Sequence, residues 1–375
     1  SGTVRRTWET EGLEWDVLVV GSAGRDIEKA STDFPDRVTV YPEENHLLAR
    51  LGLTADSGWT LSAWLHPNDV ETDVLRVEES RTRVLNESTD LGASWQQRFG
   101  GPDSGSIALG AEYFGRRGVD ARETVTDVSP EGPGGTESLQ TLDGGEEDQM
   151  GAYSAIEWNI GSASAVAGAR ATWQRQKNAG FSSSDDSAIS GFLGLVAPLS
   201  EGFELAANVG TGLRFPTLSE RFFSGTTGRG GVIGNPDLDS ERSVSFDLGL
   251  RWYGERLFVT GSIFRNEIDD YIERIEIEDD LLTFVNLLSG TIEGVELLAS
   301  YAFGSGISVE AGGHFIDGEA DNGDVLADIP ADRVDLSMQY VGERWSSRLR
   351  WEYRAEKTDI GSGEKETPSV HLLSA

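Results

Sequence analysis

Apolar and polar side chains alternate with a period of two in one stretch of the chain after another. Phe203, Leu205, Ala207, Val209, Thr211 and Leu213 fall on one face, while Glu204, Ala206, Asn208, Gly210, Gly212 and Arg214 fall on the other. That period belongs to an extended strand, whose successive side chains point to opposite sides. The same rule separates Val244, Phe246, Leu248, Leu250 and Trp252 from Ser243, Ser245, Asp247, Gly249 and Arg251. It also separates Val334, Leu336, Met338 and Tyr340 from Arg333, Asp335, Ser337 and Gln339, and it runs through Leu47, Ala49, Leu51 and Leu53 around Arg50. No apolar period of helical type persists for three turns, and no run of about 18 apolar residues offers a membrane-spanning helix. The pattern predicts an all-β protein of about sixteen strands.

The connections decide between a soluble sandwich and a membrane barrel. Tight turns are predicted near 56–58, 100–105, 161–162, 200–202, 254–255, 304–306 and 342–343. They alternate with long connections at roughly 25–42, 66–82, 118–148, 177–186, 215–241, 268–290, 316–330 and 355–367. An outer-membrane barrel has short turns at its periplasmic end and long loops outside, whereas a Greek-key sandwich has no reason to keep every second connection tight. The aromatic residues agree. Trp59, Trp95, Phe99, Phe203, Trp252, Tyr253, Tyr301, Phe303, Tyr340 and Trp345 all lie within a few residues of the tight turns, as an interfacial girdle requires.

Charge on the polar face points the same way. Asp16, Arg50, Glu112, Glu157, Arg170, Asp247, Arg251, Glu296, Arg348 and Arg350 sit at mid-strand. In a dry core each unpaired charge would cost several kcal/mol, a cost that a wet lumen removes. The fold expected is therefore a transmembrane antiparallel up-and-down β-barrel, with Asp247, Arg251, Glu296, Arg333, Asp335, Arg348 and Arg350 facing its lumen and lipid facing the apolar rows.

Composition narrows the function classes. Of 375 residues, 64 are acidic and 31 basic, for a formal charge of −33, and cysteine is absent. Disulfide-stapled and zinc-ribbon scaffolds need cysteine and are excluded. A surface this acidic repels phosphates, so no nucleic-acid partner is expected. Lysine occurs only at 29, 177, 357 and 365. Scarce lysine among many carboxylates suits a protein bathed in high salt, where self-repulsion is screened over a few ångström.

The stretch Gly212-Leu213-Arg214-Phe215-Pro216-Thr217-Leu218-Ser219-Glu220-Arg221-Phe222, followed by Gly234-Asn235-Pro236-Asp237-Leu238-Asp239-Ser240-Glu241-Arg242-Ser243, resembles the barrel of TonB-dependent outer-membrane receptors. Phe264-Arg265-Asn266 with Ile268-Asp269-Asp270-Tyr271-Ile272, then Gly294-Val295-Glu296, then Ala327-Asp328-Ile329-Pro330 with Arg333 resemble further family passages in the same order. The resemblance implies a barrel of about 22 strands, of which about sixteen are expected here. It also implies an N-terminal plug domain, which has no counterpart in this sequence. Residues 1–375 thus read as one partial barrel domain. The implied function is active import of a scarce nutrient, a ferric siderophore or other metal complex above all. The implied partners are the outer-membrane bilayer, the metal chelate or other small nutrient, and TonB acting through the missing plug. A passive sixteen-stranded porin and a structural or adhesive barrel remain as alternatives.

Candidate chemistry is sparse, and no catalytic residue is proposed. The histidines His46, His66, His314 and His371 lack the spacing of a metal or nucleophile site. Ligand contacts are expected in the loop 215–241 and its flanks, at Arg214, Arg221, Phe222, Phe223, Arg229 and Asn235, because arginine over aromatic rings suits an anionic, ring-bearing chelate. The competing account gives these residues to loop packing. No histidine occurs within 217–234, which disfavours haem by the same resemblance. No cofactor is expected beyond a weak candidate for loop-bound calcium at Asp317, Glu319, Asp321 and Asp324, whose stacked carboxylates also fit a solvated acidic loop. The Gly/Pro-rich stretch 129–148 reads as a loop, at most a lid.

Overall fold

The computed structural model describes residues 1–375 except 30–36, 102–104, 131, 133, 228–229 and 362–363. Its first ten strands are β1 Gly2–Thr10, β2 Leu13–Lys29, β3 Arg37–Ala55, β4 Trp59–Arg76, β5 Ser80–Gly101, β6 Gly105–Asp127, β7 Thr136–Ile160, β8 Ala163–Lys177, β9 Ser184–Ser200 and β10 Phe203–Arg214. A five-residue helix, α1 Leu218–Phe222, and two short strands, β11 Ser224–Thr227 and β12 Gly230–Ile233, follow. The wall then resumes with β13 Glu241–Tyr253 and β14 Leu257–Asp269, and a hairpin of β15 Ile272–Glu278 and β16 Leu281–Asn286 intervenes before β17 Ser289–Phe303. The chain closes on β18 Ile307–Ala320, β19 Arg333–Val341, β20 Ser346–Arg354 and β21 Val370–Ser374.

Seventeen of these strands form one sheet in which each pairs antiparallel with the next in the wall, β10 passing to β13 and β14 to β17. The count is one above the sixteen expected, because a tight turn at Glu11-Gly12, not anticipated in the sequence, makes Gly2–Thr10 a strand of its own paired with β2. β1 and β21 are not paired with each other among the described residues.

Register places the two faces as the alternation predicts. Asp247 lies opposite Asn208 and Arg251 opposite Glu204 on the polar side, while Phe246 lies opposite Val209 and Leu250 opposite Leu205 on the apolar side. The apolar rows are bare: Val244 and Leu297 are each 52 % exposed, Met338 49 % and Leu65 47 %. Rows of this extent from strand to strand far exceed the patches a soluble monomer carries. At the tight-turn end, rings meet in pairs, Phe203 with Trp252 at 5.9 Å, Tyr301 with Phe303 at 4.6 Å and Tyr340 with Trp345 at 4.7 Å.

The predicted tight turns fall between strands, with 102–104 of the turn at 100–105 outside the described residues, but several predicted long loops are strand for most of their length. β4 and β5 stay paired from Trp59↔Gln97 to Arg76↔Ser80, so the segment 66–82 holds only a three-residue turn. Likewise the stretch 129–148 is β7 from Thr136 onward. The reason lies in what the ladder is made of there. Above the apolar band the alternation changes face: the odd positions that carried Leu61 and Leu65 carry Glu71 and Asp73, paired with Arg83 at 2.6 Å and Arg81 at 2.5 Å, while Val74 and Val84 are buried on the opposite face and backbone pairing continues.

A second, four-stranded sheet lies in the two loops that follow β10 and β14. β11 and β12 form one hairpin, β15 and β16 another, and β12 runs parallel to β16. Hydrogen bonds fasten this sheet to the wall. Glu123 of β6 accepts from the Thr226 amide and hydroxyl, both at 2.6 Å, and Asp280 accepts from Arg37 and Arg76, both at 2.5 Å.

Candidate functional site

A cavity of about 600 Å³ opens on the polar face of β6–β10, beneath the segment Phe215–Thr217 where the chain leaves the wall. Its lining joins Arg116, Arg170 and Arg214 to Phe114, Gln174 and Phe215. Strand register explains the convergence: residues of even number on β6, β8, β9 and β10 and of odd number on β7 point inward, so these side chains rise on neighbouring strands at one level.

The arginines are held in place by carboxylates. Arg116 donates through Nε and Nη2 to Asp90 at 2.7 and 2.8 Å, and Arg170 donates to Glu112 at 2.8 Å. Arg214, the last residue of β10, grips Glu241 through Nε at 2.8 Å and Nη2 at 2.6 Å, and it donates through Nη1 to both oxygens of Glu220 at 2.9 Å. Its guanidinium therefore joins β10, β13 and α1 while one side stays open to the cavity. Glu147 lies just above the apolar row of β7, which ends at Met150, and burial pushes its carboxyl up against the pull of Gln176 and Arg116. Gln174 is 2 % exposed, and its carbonyl oxygen has no hydrogen-bond partner. A buried acceptor without a donor costs about 1–3 kcal/mol, a cost that an N–H or O–H entering the cavity would relieve.

The loop above the cavity is stiffened from within. Thr217 caps α1, its hydroxyl accepting from the Glu220 amide at 3.1 Å while Glu220 accepts from the Thr217 amide at 2.7 Å. Phe222 is buried with Leu218 against Ala121 and Leu142 of the wall, and Val119 and Phe223 pack beside them. Arg221 is 2 % exposed and bonds Asp186, Gln176 and the Leu238 carbonyl. Gly234 passes so close that a Cβ there would stand 2.8 Å from the Arg221 carbonyl carbon, and the Asn235 amide donates to the Glu220 carbonyl at 2.8 Å. Asn235 also donates through its side chain to the Phe284 carbonyl at 2.9 Å.

Of the residues expected to contact ligand, only Arg214 lines this cavity. Arg221, Phe222 and Asn235 are spent on the loop's internal framework, and Phe223 packs beside them, half-buried. Arg229 lies outside the described residues. The seven expected lumen residues stand together on the polar face, where Arg251 pairs with Glu204 at 3.0 Å, His314 with Glu296 at 3.2 Å and Arg350 with Glu352 at 3.0 Å. Arg333 lies 3.8 Å from Asp335, Arg348 lies 3.6 Å from Glu310, and Asp247 accepts from Asn208 at 3.2 Å.

The calcium candidates are not gathered into a ligand set. Asp317 and Glu319 lie on β18, while the Asp324 carboxylate accepts from Asn322 at 2.7 Å within the turn. Among the described residues no group of three or more His, Asp or Glu side chains is placed to hold a metal ion. Sequence reading missed Phe114, Arg116 and Gln174 as cavity residues. Their parity along β6 and β8 was legible, but which strands face one another beneath the loop was not.

A family model described as "TonB dependent receptor-like, beta-barrel" matches residues 7–375. Among solved structures, the copper transporter OprC superposes with a TM-score of 0.78 at 17 % identity, covering 99 % of this chain and 62 % of that one. The ferric citrate transporter FecA in its unliganded form gives a TM-score of 0.74 at 15 % identity, over 99 % of this chain and 61 % of the other. The vitamin B12 transporter BtuB of Vibrio vulnificus (strain YJ016) is 32 % identical over 127 residues, which is 32 % of this chain and 20 % of that protein. The chain thus spans less than two thirds of the length of each of these proteins.

Proposed function

Because this chain belongs to the TonB-dependent receptor β-barrel family of the bacterial outer membrane, whose members are transporters and receptors rather than enzymes, we propose that its parent protein actively imports a metal complex. A ferric siderophore is the substrate class that best suits the site, with TonB supplying the energy through a plug domain. The observation that carries the reading is the cavity beneath Phe215–Thr217. Its three arginines, two phenylalanines and unpartnered Gln174 carbonyl offer charge, ring faces and an acceptor to a ligand that is anionic, aromatic and bears N–H or O–H donors.

The carboxylates that hold the arginines set the specificity. Each guanidinium is already paired, so a weakly charged anion gains little by entering. A chelate bearing several charges gains from Arg116, Arg170 and Arg214 together, and it keeps ring contact with Phe114 and Phe215. The passive-porin alternative called for sixteen strands without the motifs at 212–222 and 234–243, whereas the wall has seventeen strands and the motifs build its loop framework.

The test is uptake of radiolabelled iron by a strain deleted for the full-length gene and grown under iron limitation. Loss of uptake for one siderophore class, restored by the intact gene and not by a version with Arg170→Gln and Arg214→Gln, is the expected result. Uptake unchanged by the deletion for every iron chelate overturns the iron assignment.

A further inference from the structure

Two of the four histidines in the chain, far apart by the usual metal-motif spacing, meet on the polar face of the wall. His46 of β3 and His66 of β4 approach with Nδ1 of the first 3.2 Å from Nε2 of the second. Their rings are nearly parallel, at 17°, with centroids 5.3 Å apart. Sequence spacing hides the pair because β3 and β4 run antiparallel, so that His46 lies opposite Asn68, two positions from His66.

A chain of close polar contacts joins Glu44 to both rings. His46 Nε2 is 2.7 Å from Glu44 Oε1. In the neutral tautomer that donates from Nε2 to this carboxylate, Nδ1 of His46 carries a lone pair. Nδ1 faces His66 Nε2, so the two nitrogens nearest each other are the ones a shared ion would meet. Glu44 thus occupies the place behind a ligating imidazole that carboxylates take in metal sites, where they fix the ring and raise its basicity.

We propose that His46 and His66 form a two-imidazole site for a divalent first-row transition-metal cation, with Glu44 as its orienting carboxylate. Nitrogens 3.2 Å apart, each about 2.0–2.1 Å from one metal ion, subtend an angle of about 100° at it, close to the tetrahedral value. The ion is held by the tautomers that leave lone pairs on His46 Nδ1 and His66 Nε2, with each ring turned about its Cβ–Cγ bond so that both lone pairs converge. Imidazole donors select Zn²⁺, Ni²⁺ and Cu²⁺ over the hard cations Mg²⁺ and Ca²⁺.

Asp90, opposite His66 on β5, adds negative charge nearby, but both its oxygens are held by Arg116. The protein therefore supplies two ligands and leaves the other positions to water or to donor atoms that arrive with the ion. This site is separate from the cavity beneath Phe215–Thr217 and does not rest on the siderophore reading.

The test is titration of the purified full chain in detergent with Cu²⁺, the tightest-binding of these ions, followed by electron paramagnetic resonance. The expected spectrum shows hyperfine coupling to two imidazole nitrogens for one bound ion. His46→Asn and His66→Asn each abolish the two-nitrogen pattern and weaken binding by tenfold or more, and Glu44→Gln weakens it about tenfold while the pattern stays. His314→Asn, on the far strand β18, leaves both unchanged. Persistence of the two-nitrogen pattern in both single variants overturns the proposal, as does equal affinity in the wild type and the His46→Asn/His66→Asn double variant. Either single variant that keeps the wild-type heat-modifiable gel mobility suffices for the comparison.

Discussion

Arg221 and Asp186 form a two-pronged ion pair, at 2.7 and 3.2 Å, between a helix of the external loop and the inner face of β9. The arginine is almost fully buried, and Gln176 and the Leu238 carbonyl take up its remaining donors on the two nitrogens that face them. A charge so enclosed stabilises the loop only while its partner is present.

Arg221→Ala is therefore expected to cost about 3–5 kcal/mol of local stability, because Asp186 is left as an uncompensated carboxylate. Hydrogen exchange over residues 217–240 measures it. Replacing both partners with apolar residues of similar volume should recover most of the loss, and a double-mutant cycle without such recovery contradicts the pairing.

Phe222 fastens the same helix by apolar contact with Ala121, Leu142 and Leu218. Phe222→Ala is expected to cost about 3–5 kcal/mol, confined to the loop. Limited proteolysis should then cut between residues 218 and 240 while the wall keeps its heat-modifiable gel mobility. Simultaneous loss of both would place Phe222 in the stability of the whole barrel.

Glu273 at the start of β15 has its carboxyl pushed up to about 7, first by burial and then by Asp328, with Arg274 pulling the other way. A carboxyl raised in the folded state favours folding when protonated. Its contribution is complete below the ordinary value of 4.5 and is lost as pH rises through about 7. Intrinsic-rate-corrected hydrogen exchange in β15 and β16 should thus quicken between pH 5 and pH 8, and Glu273→Gln should flatten that dependence. A hairpin equally protected at both pH values would refute the assignment.

Leu297 projects from the apolar face of β17 and Glu296 from the polar face beside it. Leu297→Arg is expected to cost about 2–4 kcal/mol in lipid if the residue lies at the bilayer midplane, whereas Glu296→Gln on the wet face should cost far less. Folding free energies in lipid vesicles compare the two. Equal effects would mean that the apolar row does not face hydrocarbon.

The chain's own pattern determined the strands, their two faces, the tight turns and the girdle, because each follows from local spacing. Phe203 and Trp252 could be placed at one rim without knowing that their rings touch. The family motifs at 212–222 and 234–243 also marked the right loop. What only the tertiary structure decided was the use of those residues. Arg221 and Arg214 look alike in sequence, yet one is sealed inside the loop and the other opens on a cavity, because α1 turns one side to β9 and the strand exit leaves the other uncovered. The long loops were misjudged where cross-strand ion pairs such as Arg81 with Asp73 continue the ladder beyond the apolar band, since there the face that carried leucines turns charged and the apolar positions move to the opposite face, as Val74 and Val84 do. His46 and His66 lie 20 residues apart and touch through a register that the hairpin alone fixes. Spacing along a chain records which face a side chain takes, whereas contact between strands depends on pairing, which is a property of the folded sheet.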